Sequence, residues 1–528
     1  MLYNYIELWS EVKNLMDRKK TKKIQSTRIV MTNIFMALSV IAIVFILMLI
    51  AMGFKINEHG GLEQSGLLQI SSHPSGATVE IDGETQFSRT EISKMLSSGE
   101  HKVKVTKTGY DTWETNVRVD AGLLTHISWV RLFPLNPVTE KMATYDQAKL
   151  LSFSSDHKNL LYLEKDDAEL KFINLQGEEI KVSKIKLSEV LGIKDPEALQ
   201  SAAISVAAWN DSSSKALINW THDEVTDWIV LDIEKPANSI NLTNKFGLLF
   251  NDVLIANGSA SKLWAIENGN LHLIDLSNST ISVALATGIE SVANNKDVVA
   301  YIHTANATAE DGSISTKRTI ELFREGESGA TVIEDITKTK ANNTTLALGT
   351  YWSDEWLAYS TDANLTILAG KYPSYDKPTK NAMKDVLKRE LSHVPTSISV
   401  NAEQRIVAYR SPAKVMSFDF ETKDYYDIKL NSENKSYWLD DYIIWQHEEG
   451  KVTINDFNGN NYRELISESN NQLPVCLTEN NRWLYYFDVV EKETKTKATE
   501  DTETTETTPA ENTAPAIKYV LMREKLNI

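Results

Sequence analysis

The sequence predicts an all-β protein of 528 residues with one N-terminal membrane-spanning helix, a small antiparallel β-sandwich and a β-propeller of seven or eight blades, of which eight are favoured. Three observations predict this class: a long apolar run near the N-terminus, alternation of apolar and polar residues from residue 67, and an internal repeat from residue 138. They divide the chain into an arm (1–28), a helix (29–54), a linker (55–66), a sandwich (67–135) and a propeller (138–528).

The membrane-spanning helix is predicted from an apolar run that begins at Ile34 and ends at Met52, with Ser39 as its only polar side chain. At about 1.5 Å per residue, a helix of this length extends about 28 Å, close to the hydrocarbon thickness of a bilayer. A core helix of a soluble protein would show a polar stripe at helical period, and the run has none. We therefore expect the lipid bilayer to be the partner of residues 34–52.

The orientation of this helix follows from the charges beside it. Basic residues concentrate on the cytoplasmic side of a span. Only Lys55 closely follows the run, whereas six basic residues precede it, namely Arg18, Lys19, Lys20, Lys22, Lys23 and Arg28. We expect a single-pass protein of the cell membrane, with a cytoplasmic N-terminus and the bulk of the chain outside the cytoplasm.

A cleaved signal peptide is the competing interpretation, because Ala51-Met52-Gly53 resembles a small-x-small cleavage site. The apolar run is longer than the about 7 to 15 residues usual in a secretory signal, and about thirty residues precede it. An uncleaved anchor is therefore favoured.

The arm before the span shows helical periodicity in its first 16 residues. Apolar side chains recur there at steps of three and four, namely Leu2, Ile6, Trp9, Val12 and Met16. Such an amphipathic helix, followed by a basic cluster, is typical of a segment that lies on the inner leaflet. A docking helix for a cytoplasmic partner fits the same pattern.

Composition excludes several classes of function. Acidic residues outnumber basic ones by 72 to 55, which argues against nucleic acid as a partner. Cys476 is the only cysteine, so neither a disulfide framework nor a thiolate metal site can form within one chain. A large extracytoplasmic protein without disulfides is more typical of bacteria than of eukaryotes.

The sandwich is predicted from alternation at period two. Leu68 and Ile70, then Val79 and Ile81, face one side of their strands, and Asp82-Gly83 supplies a hairpin turn. Further alternating strands follow up to residue 132, which gives about five strands in 65 residues. This spacing predicts a small antiparallel β-sandwich.

The order of motifs in this region is specific. Pro74-Ser75-Gly76-Ala77 precedes V-x-I-D-G, and G-x-H-x-V-x-V, K-x-G-Y and W-x-x-x-V-x-V follow. Over residues 67–133 this order resembles a PEGA domain, with Ser75 in place of the glutamate and a weaker match after Gly83. The resemblance implies a non-catalytic adhesion or spacer module outside the cytoplasm, and His73 and His101 are interpreted as strand-end residues, not ligands.

From residue 138 onwards, pairs of short strands repeat eight times at a mean spacing of about 46 residues, in the range of propeller blades. The first strand of each pair ends in an aromatic or bulky residue, at positions 160–163, 216–220, 263–266, 298–301, 356–359, 406–409, 442–445 and 483–486. The second strands lie at 170–175, 228–233, 271–276, 320–325, 365–370, 415–420, 452–457 and 517–522. The units resemble TolB- or WD40-like propeller repeats without a strict WD signature.

Three further features concern the ends and insertions of this region. An additional strand at 139–145 precedes the first unit, and the last unit lacks a fourth strand, so we expect both ends of the chain to pair and close the ring. Residues 378–392, which begin with Pro378, predict a short helix. Residues 493–515 are of low complexity and predict a disordered insertion.

No catalytic, cofactor-binding or metal-binding residue is predicted, because the sequence contains no zinc, P-loop, nucleophile-elbow or dinucleotide motif. The segment from Asp456 to Asn460 weakly resembles a calcium loop, but Ser467 occupies the position of the bidentate glutamate. We interpret it as a β-turn, and Asp440-Asp441 as a hairpin turn.

These features together predict a membrane-anchored extracytoplasmic binding or scaffolding protein that recognises a protein or glycan of the cell envelope through propeller loops, and not an enzyme. One alternative is an envelope enzyme that acts on polysaccharide with carboxylates in the propeller channel. Another is a sensor that passes external binding to the cytoplasmic arm. The sequence does not determine the ligand or the oligomeric state.

Overall fold

The computed structural model describes residues 2–56, 61–191, 203–308, 314–339, 343–378, 383–429, 436–467, 473–478, 481–491 and 517–526. Contacts divide the chain into two compact units, Met1–Leu132 and Phe133–Ile528. The predicted disordered insertion at 493–515 lies outside the described residues.

The first unit begins with one long helix, α1 (Leu2–Ala51). No Gly or Pro occurs within it, and Gly53, with a φ of 81°, follows its end. The arm and the apolar run are therefore parts of one continuous helix. Its segment Thr27–Ala51 is long and apolar enough to cross a membrane, and none of it is buried within the protein.

Eight strands form the sandwich of the first unit: β1 (Phe54–Ile56), β2 (Leu62–His73), β3 (Thr78–Ile81), β4 (Glu84–Arg89), β5 (Ile92–Ser97), β6 (Gly99–Thr106), β7 (Trp113–Val119) and β8 (Leu124–Arg131). One sheet contains β1, β2, β5 and β8, and the other has the order β4-β3-β6-β7. The region predicted as a linker, 55–66, contains the pairing of β1 with the start of β2. Local composition alone did not reveal this pairing, because β1 has only three residues and the start of β2 is partly polar.

The core of the sandwich confirms the alternation seen in the sequence. Leu68, Ile70, Val79 and Ile81 are at most 3% exposed. Asp82 and Gly83 both have positive φ and join β3 to β4, as a tight hairpin requires.

One strand pair departs from the predicted antiparallel arrangement. β8 pairs with β2 in the parallel direction. The chain passes from one sheet to the other between β7 and β8, so β8 does not have to reverse the direction of its neighbour. His73 ends β2, and His101 lies near the start of β6, as predicted.

The second unit contains eight four-stranded antiparallel sheets, numbered here in chain order. Sheet 8 also takes in the strand that precedes sheet 1, β9 (Val138–Asp146). Sheet 1 contains β10 (Ala148–Phe153), β11 (Asn159–Glu164), β12 (Glu169–Asn174) and β13 (Lys181–Lys186), and sheet 2 contains β14 (Ala203–Trp209), β15 (Lys215–His222), β16 (Val225–Asp232) and β17 (Ile240–Asn241). Sheet 3 contains β18 (Asp252–Ile255), β19 (Lys262–Glu267), β20 (Asn270–Asp275) and β21 (Thr280–Ile281), and sheet 4 contains β22 (Ile289–Asn295), β23 (Val298–Thr308), β24 (Ile314–Arg324) and β25 (Thr331–Asp335).

Sheets 5 to 8 are β26 (Thr344–Tyr351), β27 (Asp354–Thr361), β28 (Asn364–Gly370), β29 (Met383–Glu390); β30 (Ser397–Val400), β31 (Ile406–Arg410), β32 (Lys414–Asp419), β33 (Tyr425–Lys429); β34 (Ser436–Trp438), β35 (Ile443–Glu448), β36 (Lys451–Asp456), β37 (Arg463–Ile466); and β38 (Cys476–Leu477), β39 (Trp483–Glu491), β40 (Ile517–Lys525) with β9. Two short helices, α2 (Leu187–Leu191) and α3 (Leu242–Phe246), lie between sheets, as do 3-10 turns at Pro236–Asn238 and Thr337–Thr339.

Buried apolar clusters join the sheets in a cycle. Each pair of consecutive sheets shares one cluster, and the last cluster joins sheet 8 to sheet 1. The first strand of each predicted pair is the second strand of its sheet. Its repeated aromatic residues lie in these clusters, among them Tyr162, Trp264, Tyr301 and Trp445. Because a sheet with two apolar faces needs a neighbour on each side, this arrangement is a β-propeller and favours eight blades over seven.

The ring closes as the sequence predicts. β9 pairs with β40 along almost its whole length, so sheet 8 combines strands from both ends of the unit. The predicted helix at 378–392 is wrong, because Met383–Glu390 forms β29 and pairs with β28. The outer edge of sheet 5 offers unpaired backbone groups to this segment, and that tertiary pairing overrides its local helical pattern.

Candidate functional site

Two ends of the ring can be distinguished by the connections between strands. At the turn end, the first strand of each sheet joins the second and the third joins the fourth; at the connection end lie the other links. Turn-end residues of neighbouring sheets are hydrogen-bonded to one another, for example Asn295 Nδ2 to Thr350 Oγ1 at 2.8 Å and Asn401 Nδ2 to the Asp441 carbonyl at 3.0 Å. These bonds make the turn end a rigid platform for exposed side chains.

Trp352 is the unusual residue of this platform. It forms a two-residue turn with Ser353 between β26 and β27, because Tyr351 and Asp354 are the last paired residues. Its φ is 53°, a left-handed conformation in which a bulky side chain is rare, and 84% of the residue is exposed. Trp352 thus carries a backbone cost and an exposed apolar surface together, and such a combination indicates function rather than packing.

An aromatic cleft of about 340 Å³ lies beside Trp352, between sheets 5 and 6. The ring of Trp352 meets that of Tyr351 edge-on at 6.1 Å, and Trp356 stacks on Phe420 at 4.5 Å. Polar groups line the same cleft, namely Ser353, Asp354, Glu421 and Lys423. An aromatic surface surrounded by a few polar groups is the usual composition of a small-molecule or glycan site.

Buried charges fix the wall of this aromatic cleft. Arg405 makes a bidentate pair with Asp419, with N–O distances of 2.8 and 2.7 Å, and its third contact is with Glu421 at 2.5 Å. Burial disfavours the charged guanidinium, but the hydrogen bonds and charges of Asp419 and Glu421 raise the Arg405 pKa above its usual range. Arg405 is therefore permanently charged and holds Glu421 at the edge of the cleft.

The hydroxyl of Tyr351 also faces Glu421. It donates a hydrogen bond of 2.6 Å to Glu421 Oε2. Burial, and then this hydrogen bond, raise the pKa of Tyr351 to about 12. The hydroxyl therefore stays protonated at neutral pH and remains a donor, while Glu421 remains an acceptor for a ligand.

Trp356 is held from the neighbouring sheet. Its Nε1–H donates to the Gln404 carbonyl at 3.0 Å, and the Gln404 side chain accepts from the Thr350 backbone N–H at 2.6 Å. The indole cannot rotate without breaking the contact between sheets 5 and 6. The floor of the cleft is therefore preorganised.

The alternative function, an enzyme with carboxylates in the propeller channel, requires acidic residues on the inner strands. First strands of neighbouring sheets lie side by side, and four of them line a cavity of about 470 Å³. Among the described first-strand residues, the acidic ones are Asp252 and Glu290, which line a separate cleft of about 550 Å³. Burial raises the Asp252 pKa, and Glu290 is bound to Arg318 at 2.6 Å and to Thr304.

The other sequence candidates for a site are structural. Asp456 and Asn460 form a turn closed by the Asp456 N–H and the Asn460 carbonyl at 2.9 Å, and Gly459 has a φ of 83°. Asp440-Asp441 joins β34 to β35 as predicted. Across the described residues, no group of three or more His, Cys, Asp or Glu side chains could hold a metal ion.

No sequence motif singled out Trp352. Other tryptophans of the propeller pack between sheets, for example Trp264, Trp356 and Trp445, which are at most 2% exposed. The signal was present in the repeat, because the corresponding turns of the other sheets carry polar or small residues, such as Asp156-His157, Ser259-Ala260 and Lys296-Asp297. An aromatic residue at a turn position of one repeat was the deviation to look for.

Comparison with known proteins identifies one family within this chain. Residues 65–131 match the PEGA domain family, whereas no curated protein matches the chain. Three of the similar solved structures are the C-terminal WD40 domain of Sif2 (10% identity, TM-score 0.44, 73% of this chain and 98% of that one), Porphyromonas gingivalis dipeptidyl peptidase 4 (10%, 0.44, 65% and 57%) and apo AztD from Citrobacter koseri (10%, 0.37, 70% and 91%). The chain therefore carries a PEGA domain, and its own sheet topology makes the unit that follows a β-propeller.

Proposed function

We propose that this protein is a membrane-anchored binding protein of the cell envelope that holds a glycan against Trp352 at the turn end of its propeller. The observation that carries the proposal is the exposed indole in a strained turn beside a preorganised aromatic cleft. The C–H face of a pyranose ring is weakly positive and packs against the negative face of an aromatic ring. Asp354, Glu421 and Lys423 offer acceptors and a donor for its hydroxyl groups.

The anchor in this proposal is the apolar part of α1. Its side chains are exposed along the helix from Ile29 to Met52, and in water this surface would be costly. Insertion in a bilayer removes that cost, with the basic arm in the cytoplasm and the PEGA domain and propeller outside. Protease protection of the arm in sealed inverted and right-side-out vesicles tests this topology.

The binding test uses the full chain in detergent and isolated envelope glycans immobilised on beads. Retention of the wild-type protein is expected to fall about tenfold or more in Trp352→Ala and to recover in part in Trp352→Phe, because a smaller aromatic face is restored. Val283→Ala is the matched control, since Val283 is 83% exposed but lies in sheet 3 after β21. Equal retention of all variants would refute the site.

Reducing sugar measured in the same samples distinguishes a binding protein from an enzyme. Release of reducing sugar that is lost in Asp252→Asn would favour the enzyme, because burial raises the pKa of Asp252 as a general acid requires. Retention by envelope protein instead of glycan, with the same dependence on Trp352, would keep the site but replace its ligand. A sensor would need a cytoplasmic partner of the arm.

A further inference from the structure

A second cleft, of about 540 Å³, opens at the connection end between sheets 5 and 6. Its walls come from the end of β29 and the residues that follow, from the end of β31, and from the start of β32. Three basic side chains line it: Arg389, Arg410 and Lys414. It lies at the opposite end of the strands from Trp352 and shares none of the residues that line the aromatic cleft.

Arg389 is fixed at one side of this basic cleft. Its guanidinium stacks over the ring of Tyr425 at 3.9 Å and lies 3.5 Å from Asp427. Stacking on an aromatic ring leaves the edge of the guanidinium plane available for hydrogen bonds to a ligand. Arg389 is thus held in place without being enclosed.

Arg410 and Lys414 face the basic cleft from the neighbouring sheet. Arg410 is partly buried, and this burial lowers its pKa, which shows that its charge is poorly solvated. Lys414 is directly opposite Lys429 on the adjacent strand. Like charges in that position repel, so a bound anion would relieve an unfavourable pair.

Hydroxyl groups complete the lining. Ser411 is 6% exposed and closes the turn to Lys414, accepting from its backbone N–H at 3.2 Å. The Tyr409 side chain, 1% exposed, forms part of the wall, and its buried hydroxyl has no hydrogen-bond partner in the described structure. A buried hydroxyl without a partner is costly and is common where a ligand supplies the missing bond.

Two acidic groups oppose this basic set. Asp427 is occupied by Arg389, and Glu390 is an exposed residue at the rim. Three cations against two anions leave the lining basic, although the whole chain carries a net charge of −17. Such a local excess of positive charge attracts anions.

We propose that this basic cleft binds an anionic group, a carboxylate or a phosphate, carried by a small hydroxylated molecule. The anion contacts Arg410 and Lys414, and the edge of Arg389 orients it. The hydroxyls of Ser411 and Tyr409 bind the remaining polar groups of the molecule. The volume is that of a small-molecule site. This inference does not depend on glycan binding at Trp352.

The test is calorimetric titration of the full chain in detergent at constant ionic strength. Four probes are used: inorganic phosphate, glucose 6-phosphate, glucuronate and neutral glucose. Saturable binding of at least one of the three anions is expected, and glucose should not displace the bound anion. Comparison of glucose 6-phosphate with glucuronate shows which anion the cleft prefers.

Variants assign the binding to the cleft. Lys414→Met, which keeps the aliphatic stem, and Arg410→Gln are each expected to weaken anion binding about tenfold. Glu390→Gln is expected to strengthen it about two- to threefold, because a repulsive charge is removed. Lys165→Met, an exposed lysine in sheet 1, and Trp352→Ala are the controls and should not change it.

The proposal is overturned if no anion binds saturably, or if Lys165→Met weakens binding as much as Lys414→Met does. Circular dichroism of each variant shows whether it is folded. If Arg410→Gln does not fold, Lys414→Met and Glu390→Gln still test the proposal, because anion binding should weaken in the first and strengthen in the second. If the wild-type protein retains no glycan but binds an anion saturably, only the site at Trp352 is refuted.

Discussion

Trp352 occupies a backbone conformation that costs more for a tryptophan than for Asn or Gly. With its φ of 53° and 84% exposure, the side chain gives little packing in return. Three other left-handed turn residues at this end, His157, Ser213 and Gln404, are polar and form hydrogen bonds to a neighbouring sheet. The turn thus contains a residue that the fold itself does not need.

We predict that Trp352→Asn stabilises the protein while glycan retention is lost. Asn adopts the left-handed conformation readily, so the free energy of unfolding should rise by about 0.5–1 kcal/mol. Thermal unfolding of the full chain followed by circular dichroism should show a Tm increase of about 1–2 °C. A Tm several degrees lower would mean that Trp352 contributes to packing.

Arg405 is the opposite case, a charge that the fold requires. It is 3% exposed and its partner Asp419 is fully buried. Arg405→Met should lower the free energy of unfolding by about 3–5 kcal/mol, because Asp419 is left as a buried charge without its partner. Urea unfolding measures this loss. Lys451→Met, which removes an exposed pair with Glu464, is the control and should change stability little.

At the scale of the element, the β3–β4 hairpin is tied to β6 by a titratable pair. His101 Nδ1 lies 2.6 Å from Asp82 Oδ2, and His101 Nε2 lies 2.8 Å from the Ser97 carbonyl. Burial alone would lower the His101 pKa, but its bonds to Asp82 and Ser97 raise it, while the bond from His101 lowers the Asp82 pKa. The pair therefore stabilises the sandwich when both groups are charged.

The sign of this pH dependence follows from the two shifts. A histidine with a raised pKa gives stability that is present below its ordinary value of 6.5 and lost as pH rises through the folded value. Asp82 gives stability that is lost as pH falls below 3.8. After division by the intrinsic exchange rate, which itself rises with pH, hydrogen exchange of β6 should accelerate above pH 6.5 in the wild type but not in His101→Gln. An unchanged step in this variant would contradict the assignment.

The strands themselves were predicted unequally. The two middle strands of all eight sheets were found from sequence, because they are buried on both sides and carry the repeated aromatic residues. β29 was predicted as a helix, because this exposed and charged outer strand of sheet 5 shows no clear alternation of apolar and polar residues. Its conformation is decided by pairing with β28, which local sequence does not contain.

At the scale of the whole molecule, ring closure depends on sheet 8. Glu524 of β40 is 5% exposed and lies opposite Thr139 of β9. Burial raises its pKa from 4.5 to about 7. The folded protein therefore retains a proton that the unfolded chain has already lost between these two values.

Stability should consequently fall as pH rises from about 4.5 to 7, because the unfolded state binds fewer protons than the folded state. The loss amounts to about 3–4 kcal/mol at pH 8, by about 1.4 kcal/mol per pKa unit. Glu524→Gln should remove this dependence and raise the Tm at pH 8. Unfolding of wild type and variant at pH 5 and pH 8 measures the effect, and a wild type equally stable at both, with no gain in the variant, would contradict it.

The sequence by itself determined the apolar helix, the PEGA motif order, the repeat and the closure of the ring, because burial imposes a period on the residues that are buried. Only the tertiary structure decided the parallel pair of β2 and β8, the strand β29, and the two clefts between sheets 5 and 6. Each of these depends on contacts between strands, such as those that place Trp352 and Phe420 in one cleft and Arg389 and Lys414 in the other. Such contacts leave no period in the sequence, so they can be identified only once the sheets are placed side by side.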